Sequence, residues 1–156
     1  MAAFAAGAIL GAIAFVCLWG TIPLNPKNLR LFTEPYGTEI SFASIGVQQF
    51  LTTHWQFPPG VIEGLVFPAK TSVAYTDGMP LVALIAKIIA SISGRSFQYF
   101  GLWGLFCAVM QGGVSAAIIF KYARDWILAA VGCVFFIFCP FFWGKCLGMS
   151  RWRVNG

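Results

Sequence analysis

The chain has 156 residues, of which 59% are hydrophobic and only 10% are charged, and its mean hydropathy is +0.80. An average soluble domain carries about 25% charged residues, so this composition argues against an ordinary soluble domain and indicates a membrane protein. The net charge of +5 does not come from a basic patch, because the Lys and Arg residues are spread along the chain. Nucleic-acid binding would need a clustered basic face. We therefore expect the bases to act as headgroup anchors and topology signals.

The five cysteines give no sign of a disulfide framework or a metal site. Their number is odd, none forms a Cys-x-x-Cys pair, and most lie in apolar runs. They are expected to behave as small buried hydrophobes. The single His and the lack of spaced Cys/His pairs give no zinc signature.

The first apolar run, residues 2–23, contains no charged side chain. It is long enough to cross a bilayer, since about 20 helical residues cover a ~30 Å hydrocarbon core. It lacks the basic n-region of a signal peptide and is longer than a typical h-region. The sequence predicts a retained transmembrane helix over about 3–22.

Residues 24–78 hold most of the acidic side chains and five prolines. We interpret them as an extracytoplasmic loop of about 55 residues, a length at which connections are usually functional. A helix is predicted inside this loop, because residues that would share one helix face recur three or four positions apart. They are Val47, Phe50, Leu51, His54 and Trp55. We expect this helix to lie in the membrane interface, with Trp55 at headgroup level, and to end at the FPPG stretch, where Pro cannot continue it.

Three further apolar segments predict spans at about 79–94, 97–120 and 126–144. The first reaches only about 24 Å at 1.5 Å per residue, and Lys87 inside it must face the protein interior or snorkel. In the second, Gly112 and Ala116 have the small-xxx-small spacing that favours close helix packing in lipid.

The predicted fold is therefore an all-α integral membrane protein, a single membrane domain over 1–156 with about four transmembrane helices and the long loop 24–78 between helices 1 and 2. The segment after Gly144 is more basic than the loop, which favours termini inside and the loop outside.

Nucleotide-cradling and common nucleophile motifs are absent from the sequence, so the loop's ionisable residues carry the functional hypotheses. Glu39 suits either the first turn of a helix, where the dipole favours an acid, or a role as base or metal ligand. For Asp77, one interpretation is that it or Thr76 caps the helix that begins near Met79, with Pro80 in its first turn, and the other is that it faces the same pocket as Glu39.

Three other residues are weaker candidates for a functional role. His54 and Trp55 suit an interface, and Lys87 suits either snorkelling or function, because ionisable groups inside a membrane are functional candidates by default. All three are predicted here as substrate-binding residues.

Several short motifs resemble those of a known family. They are LNP at 24–26, the Ile45-Gly46 pair, WQFPPG at 55–60, VAYTDGMPLVAL at 73–84 and FQYFGLW at 97–103. Together they resemble a family of largely uncharacterised polytopic bacterial membrane proteins related to the GT-C class of glycosyltransferases. The resemblance covers most of residues 24–120.

The resemblance implies an enzyme of the bacterial inner membrane that moves a sugar from a polyprenyl-phosphate donor to an extracytoplasmic acceptor. It places Glu39 where that class has an acid working as base or acceptor-positioning group, with Asp77 second, and it allows a divalent metal ion. The family's Asp-x-x-x-His context is missing, since Ile40 to Ala43 follow Glu39. Such proteins are also longer, so we expect an N-terminal fragment that is inactive alone.

Two alternatives remain open at this point. The first is a non-catalytic four-helix membrane scaffold or assembly partner, in which Gly112 and Ala116 would pack against a partner. The second is a transporter fragment, in which Lys87 would line a pathway.

Overall fold

A computed structural model describes residues 1–29, 39–66, 68–76 and 78–138, and for 39 and 40 it describes the backbone alone. Within these ranges the chain is mostly helical. The elements in chain order are α1 (Ala2–Trp19), α2 (Glu39–Thr52), β1 (Val61–Val66), β2 (Ala69–Ser72), α3 (Pro80–Ser93), α4 (Phe100–Ala123) and α5 (Trp126–Ile137).

The chain divides into two compact units. The helical unit consists of Met1–Asn25 and the chain from Phe100 onward, and the connecting unit is Pro26–Tyr99. The predicted loop 24–78 thus lies almost wholly in the connecting unit, which also contains α3.

The helical unit is held together by close contact between α1 and α4. One stripe of α1 is buried, with residues spaced at three or four: Ala3, Gly7, Gly11 and Phe15. A Cβ on Gly7 would collide with the carbonyl of Gly112 and with Ala116, so only glycine allows this approach. The small-residue spacing at Gly112 and Ala116 therefore allows the close helix packing that it predicts. The helix that packs there is α1 of the same chain.

Helix α5 packs against the same pair. It starts at Asp125, whose carboxylate accepts a hydrogen bond from the backbone N–H of Ile127 at 2.7 Å, a regular N-cap. The buried thiol of Cys133 lies 3.3 Å from the Gly112 carbonyl oxygen, to which it donates. Cys133 and Ile137 form a cluster with Ala116, as expected for a cysteine acting as a small hydrophobe.

Two helices of the described chain are long and apolar enough to cross a membrane, α1 with 18 residues and α4 with 24. Helices α3 and α5 are apolar but shorter, with 14 and 12 residues. The predicted span at 126–144 extends beyond the described residues. The four-span prediction is thus met in part, by a mostly helical chain with two helices of spanning length.

The connecting unit is built from α2, a β-hairpin and α3. Helix α2 buries Val47, Phe50 and Leu51, as its spacing predicts. Strands β1 and β2 pair antiparallel, with Val61 opposite Ser72 and Ile62 opposite Thr71. The hairpin was not predicted from the sequence, and it places Ile62 fully inside.

The predicted extent of the interfacial helix was wrong at its C-terminal end. Helix α2 stops at Thr52, so His54 and Trp55 lie beyond it. At this end the Thr53 hydroxyl bonds to the Gln49 carbonyl at 2.6 Å, beside the helical bond that the Thr53 backbone N–H makes to the same carbonyl at 3.0 Å. Side-chain bonds of this kind satisfy the last carbonyls of a helix and compete with its continuation.

The predicted cap of α3 was also wrong in detail. Met79 occupies the N-cap position with a positive φ of 50°, and its side chain makes no capping hydrogen bond. Pro80 is the first residue of the helix, as predicted. The Thr76 hydroxyl instead donates to the Val73 carbonyl at 2.9 Å. Asp77 lies outside the described residues.

The connecting unit begins and ends at neighbouring points. The backbone N–H of Gln98 donates to the carbonyl of Pro26 at 2.9 Å. The hydroxyl of Tyr99, which is buried, donates to the carbonyl of Gly78. Burial raises the pKa of the Tyr99 phenol above its ordinary value, so this group stays a neutral donor.

Candidate functional site

The most unusual side chain of the connecting unit is Lys87, which is only 2% exposed. Its Nζ lies 4.1 Å from the ring centroid of Phe50 and 5.1 Å from that of Trp55. It also donates a long hydrogen bond of 3.5 Å to the backbone carbonyl of His54. Aromatic faces attract a cation within about 6 Å, and the attraction is stronger where water is excluded.

Three separate stretches of chain bring these groups together. Phe50 comes from the last turns of α2, His54 and Trp55 from the segment just after α2, and Lys87 from the middle of α3. The alanines on either side of Lys87 along the buried face of α3 are small, and this lets α2 approach closely.

Ser91 holds the tryptophan in place. The indole Nε1 of Trp55 donates to the Ser91 hydroxyl at 3.2 Å, and that hydroxyl donates to the Lys87 carbonyl at 2.8 Å. Ser91 is one helical turn after Lys87, so the ring and the ammonium are fixed to the same stretch of α3. We call Phe50, His54, Trp55, Lys87 and Ser91 the Lys87 cluster.

The structure therefore brings together the three residues predicted to bind substrate, His54, Trp55 and Lys87. His54 takes part through its main-chain carbonyl rather than its imidazole. Their role in binding stays a prediction. Phe50 and Ser91 were not predicted as members, although Ser91 is four residues after Lys87 and Phe50 is on the periodic face of α2.

No carboxylate pairs with Lys87 among the side chains that the structure describes, where the one ion pair joins Lys70 to Glu63. An ammonium has three donors, and the described surroundings of Lys87 offer one distant carbonyl and two ring faces. A buried charge without a counter-charge is costly. The site retains positive charge and hydrogen-bonding capacity that an anion would satisfy.

The structure describes less of the two acidic candidates, Glu39 and Asp77. Glu39 is the first residue of α2, where the positive end of the helix dipole favours an ionised carboxylate. Its side chain and the whole of Asp77 lie outside the described part of the chain. The hypothesis that they share a pocket stays a prediction.

The hairpin carries a second polar surface, an open cavity of about 310 Å³. Two almost fully exposed rings, Phe57 and Tyr75, line it together with Lys70, Thr71 and Ser72. Lys70 pairs with Glu63 at 2.5 Å. Hydrogen bonds from Lys70 and Gln56 hold the pKa of the Glu63 carboxyl below its ordinary value.

The divalent metal ion that the resemblance allows finds no ligand set in the described residues. Nowhere among them do three His, Cys, Asp or Glu side chains come together.

Comparison with known proteins gives one match. It is to the family described as a domain of unknown function (DUF6311), over residues 8–151. No curated protein and no solved structure matches the chain.

Proposed function

Because the chain belongs to this DUF6311 family, whose description assigns no activity, we propose its function from the resemblance to GT-C glycosyltransferases together with the residues of the connecting unit. It acts as a membrane glycosyltransferase that moves a sugar from a polyprenyl-phosphate donor to an extracytoplasmic acceptor at the bacterial inner membrane. The observation that carries this proposal is the buried Lys87 ammonium, which no described carboxylate neutralises. It belongs to a unit that also contains Glu39 and that lies in sequence between two helices of spanning length.

The reaction would use two side chains of opposite charge. The acceptor hydroxyl oxygen attacks the anomeric carbon, its proton passes to the Glu39 carboxylate, and the bond from that carbon to the phosphate oxygen breaks. The electron pair leaves on the lipid phosphate, and the Lys87 ammonium stabilises the charge that develops there. Trp55, which is half exposed, forms the outer wall of the Lys87 cluster, so a phosphate would reach Nζ by displacing its ring.

The hairpin cavity is suited to the sugar part of such a reaction. A sugar ring presents C–H faces and hydroxyl edges, and the cavity combines the rings of Phe57 and Tyr75 with the hydroxyls of Thr71 and Ser72. An apolar wall with a few placed polar groups is the usual composition of a small-ligand site.

The test is sugar transfer by membranes that contain the protein in its full-length context. A polyprenyl-phosphate donor with a radiolabelled sugar is supplied, and release of the label from the lipid is measured. Glu39→Gln should abolish release because the amide cannot take a proton, and Lys87→Met should reduce it strongly. Glu63→Gln is the matched control, since Glu63 is an exposed acid already paired with Lys70.

Membrane insertion of each variant is measured in parallel by its amount in the washed membrane fraction. Release by the Glu39→Gln variant at the rate of the unchanged protein would remove Glu39 from the reaction. Equal loss in the Glu63→Gln control would show that the assay reports folding rather than chemistry.

A non-catalytic scaffold is the second proposal, and α5 favours it. Gly112 and Ala116 are occupied by α1, so they do not supply a partner surface. An open apolar groove remains along α5, lined by Val131, Val134, Phe135 and Phe138. Val131→Glu should abolish co-purification of a membrane partner if this groove binds one, and it should leave sugar release unchanged under the first proposal.

A further inference from the structure

Helix α3 has two unlike faces. The face toward α2 has small side chains and the one charged residue of this helix. Its buried residues are Ala83, Ala86, Lys87 and Ala90. The opposite face is aliphatic, and each of its large side chains is at least half exposed: Leu81, Ile85, Ile88, Ile89 and Ile92. An exposed aliphatic surface of this size marks a contact with lipid or with a partner.

The path of the chain limits how α3 can meet a membrane. Helices α1 and α4 are antiparallel, because Gly7 packs on Gly112 near one end while Pro23, just after α1, contacts Gly101 at the start of α4. If this pair crosses a bilayer, the end of α1 and the start of α4 lie on the same side of the membrane. The stretch between them must therefore contain an even number of crossings.

The residues on either side of α3 are also in direct contact. Gly78 precedes the helix and Tyr99 follows it, and the Tyr99 hydroxyl donates to the Gly78 carbonyl. A spanning helix would separate such residues by ~30 Å of hydrocarbon. The segment from 94 to 99 would then have to return through the core as irregular backbone, which lipid does not tolerate.

We infer that α3 does not cross the bilayer but lies along its surface, with the aliphatic face in the boundary between headgroups and acyl chains. The inference rests on the membrane setting of the proposed function and not on its chemistry. A helix with a strong apolar face and a protected polar one binds in this way. The predicted span at 79–94 is replaced by an in-plane helix.

Covalent connection favours lipid over a protein partner as the occupant of this face. Helix α3 ends at Ser93 and α4 begins at Phe100, so the link reaches at most about 25 Å even when extended. The end of α3 is thereby kept within this reach of the bilayer that α4 enters. Arg95 in this link adds a cation at headgroup level.

Accessibility of single cysteines to a membrane-impermeant maleimide tests the topology in intact spheroplasts, with the unchanged chain as baseline for its native cysteines. Ala69→Cys and Ser96→Cys should label from the same outer side. Lys121→Cys, at the other end of α4, should label only after permeabilisation. Labelling of Ser96→Cys from the side opposite Ala69→Cys would overturn the inference, as would labelling of all three from outside.

Lipid contact is tested separately with a fluorophore attached at Ile88→Cys or Ile92→Cys in reconstituted vesicles. Lipids brominated near the headgroup should quench both positions more strongly than lipids brominated at the chain end. Absence of quenching would overturn the lipid assignment. Sugar release is not measured here, so failure of the proposed chemistry would leave these results unchanged.

Discussion

The two units of the molecule use opposite ways of packing. In the helical unit, α1 and α4 approach until their backbones touch, and the residues at the closest contacts are Gly and Ala. In the connecting unit, α2 and α3 enclose the long side chain of Lys87 between aromatic rings. The packing of α1 on α4 depends on side chains being small or absent. The packing of α2 on α3 depends on which side chain lies between them, Lys87. Substitutions should therefore act by volume in the helical unit and by charge in the connecting unit.

The largest effect is expected from Gly112→Leu. The new side chain would collide with the backbone of Gly7, which cannot move aside as a side chain would. Overpacking of this kind costs typically 1–3 kcal/mol, and contact with backbone places this variant near about 3 kcal/mol. The free energy of unfolding in mild detergent, titrated with a denaturing detergent, measures it.

Val114→Leu is the control for Gly112→Leu, because Val114 is on the exposed side of the same helix. It should leave stability unchanged within about 0.5 kcal/mol, as surface substitutions usually do. Equal losses in the two variants would show that α4 does not depend on close contact with α1.

Lys87→Glu should cost about 2 kcal/mol, because a carboxylate would face the negative ring faces and the His54 carbonyl. Lys87→Met keeps the length and volume without charge, and replacing buried charge by a hydrophobe is often neutral. We expect Lys87→Met to lie within about 1 kcal/mol of the unchanged protein in the same titration. A larger loss for Met than for Glu would mean that charge does not govern this site.

Tyr99→Phe removes the hydroxyl that bonds to the Gly78 carbonyl and leaves the ring. The expected loss is about 1 kcal/mol, the usual net worth of one hydrogen bond. Resistance of the 78–99 segment to limited proteolysis should fall with it. Tyr75→Phe, at an almost fully exposed position, is the matched control and should change neither measurement.

The smallest effect is expected at the exposed pair of Glu63 and Lys70. Lys70→Gln should cause only a slight loss of stability, since exposed ion pairs contribute little and salt screens them. The pKa of folded Glu63 is lowered, so the pair's contribution is present above the unfolded pKa and is lost as pH falls through the folded pKa. Stability of the unchanged and Lys70→Gln proteins should therefore converge at acid pH, and divergence there would contradict the assignment.

The sequence was a good guide where structure is local. The apolar run of α1 and the small residues of α4 are continuous patterns, and both give the predicted helices. The periodicity through Trp55 misled because Trp55 turns back to Ser91 on α3 rather than continuing α2. Strand β2 has only 4 residues, and such short strands have too little pattern to be recognised in a loop rich in proline.

Three members of the Lys87 cluster were predicted, His54, Trp55 and Lys87, but their arrangement was not. Trp55 and Lys87 each stood out by chemical type at a membrane boundary, yet nothing in the sequence joins positions so far apart. Their meeting depends on the approach of α2 to α3, which the small residues around Lys87 permit. Ser91 gave no signal of its own, because a serine near the end of a helix is ordinary.

The hydrogen bond from Gln98 to Pro26 has a consequence for engineering and for evolution. The two ends of the connecting unit are close enough that a few flexible residues would join Asn25 directly to Phe100. A segment with adjacent ends has the geometry of an insertion, which a host hairpin can accept or lose without a change of its own path. The connecting unit can then be treated as an exchangeable cassette between α1 and α4.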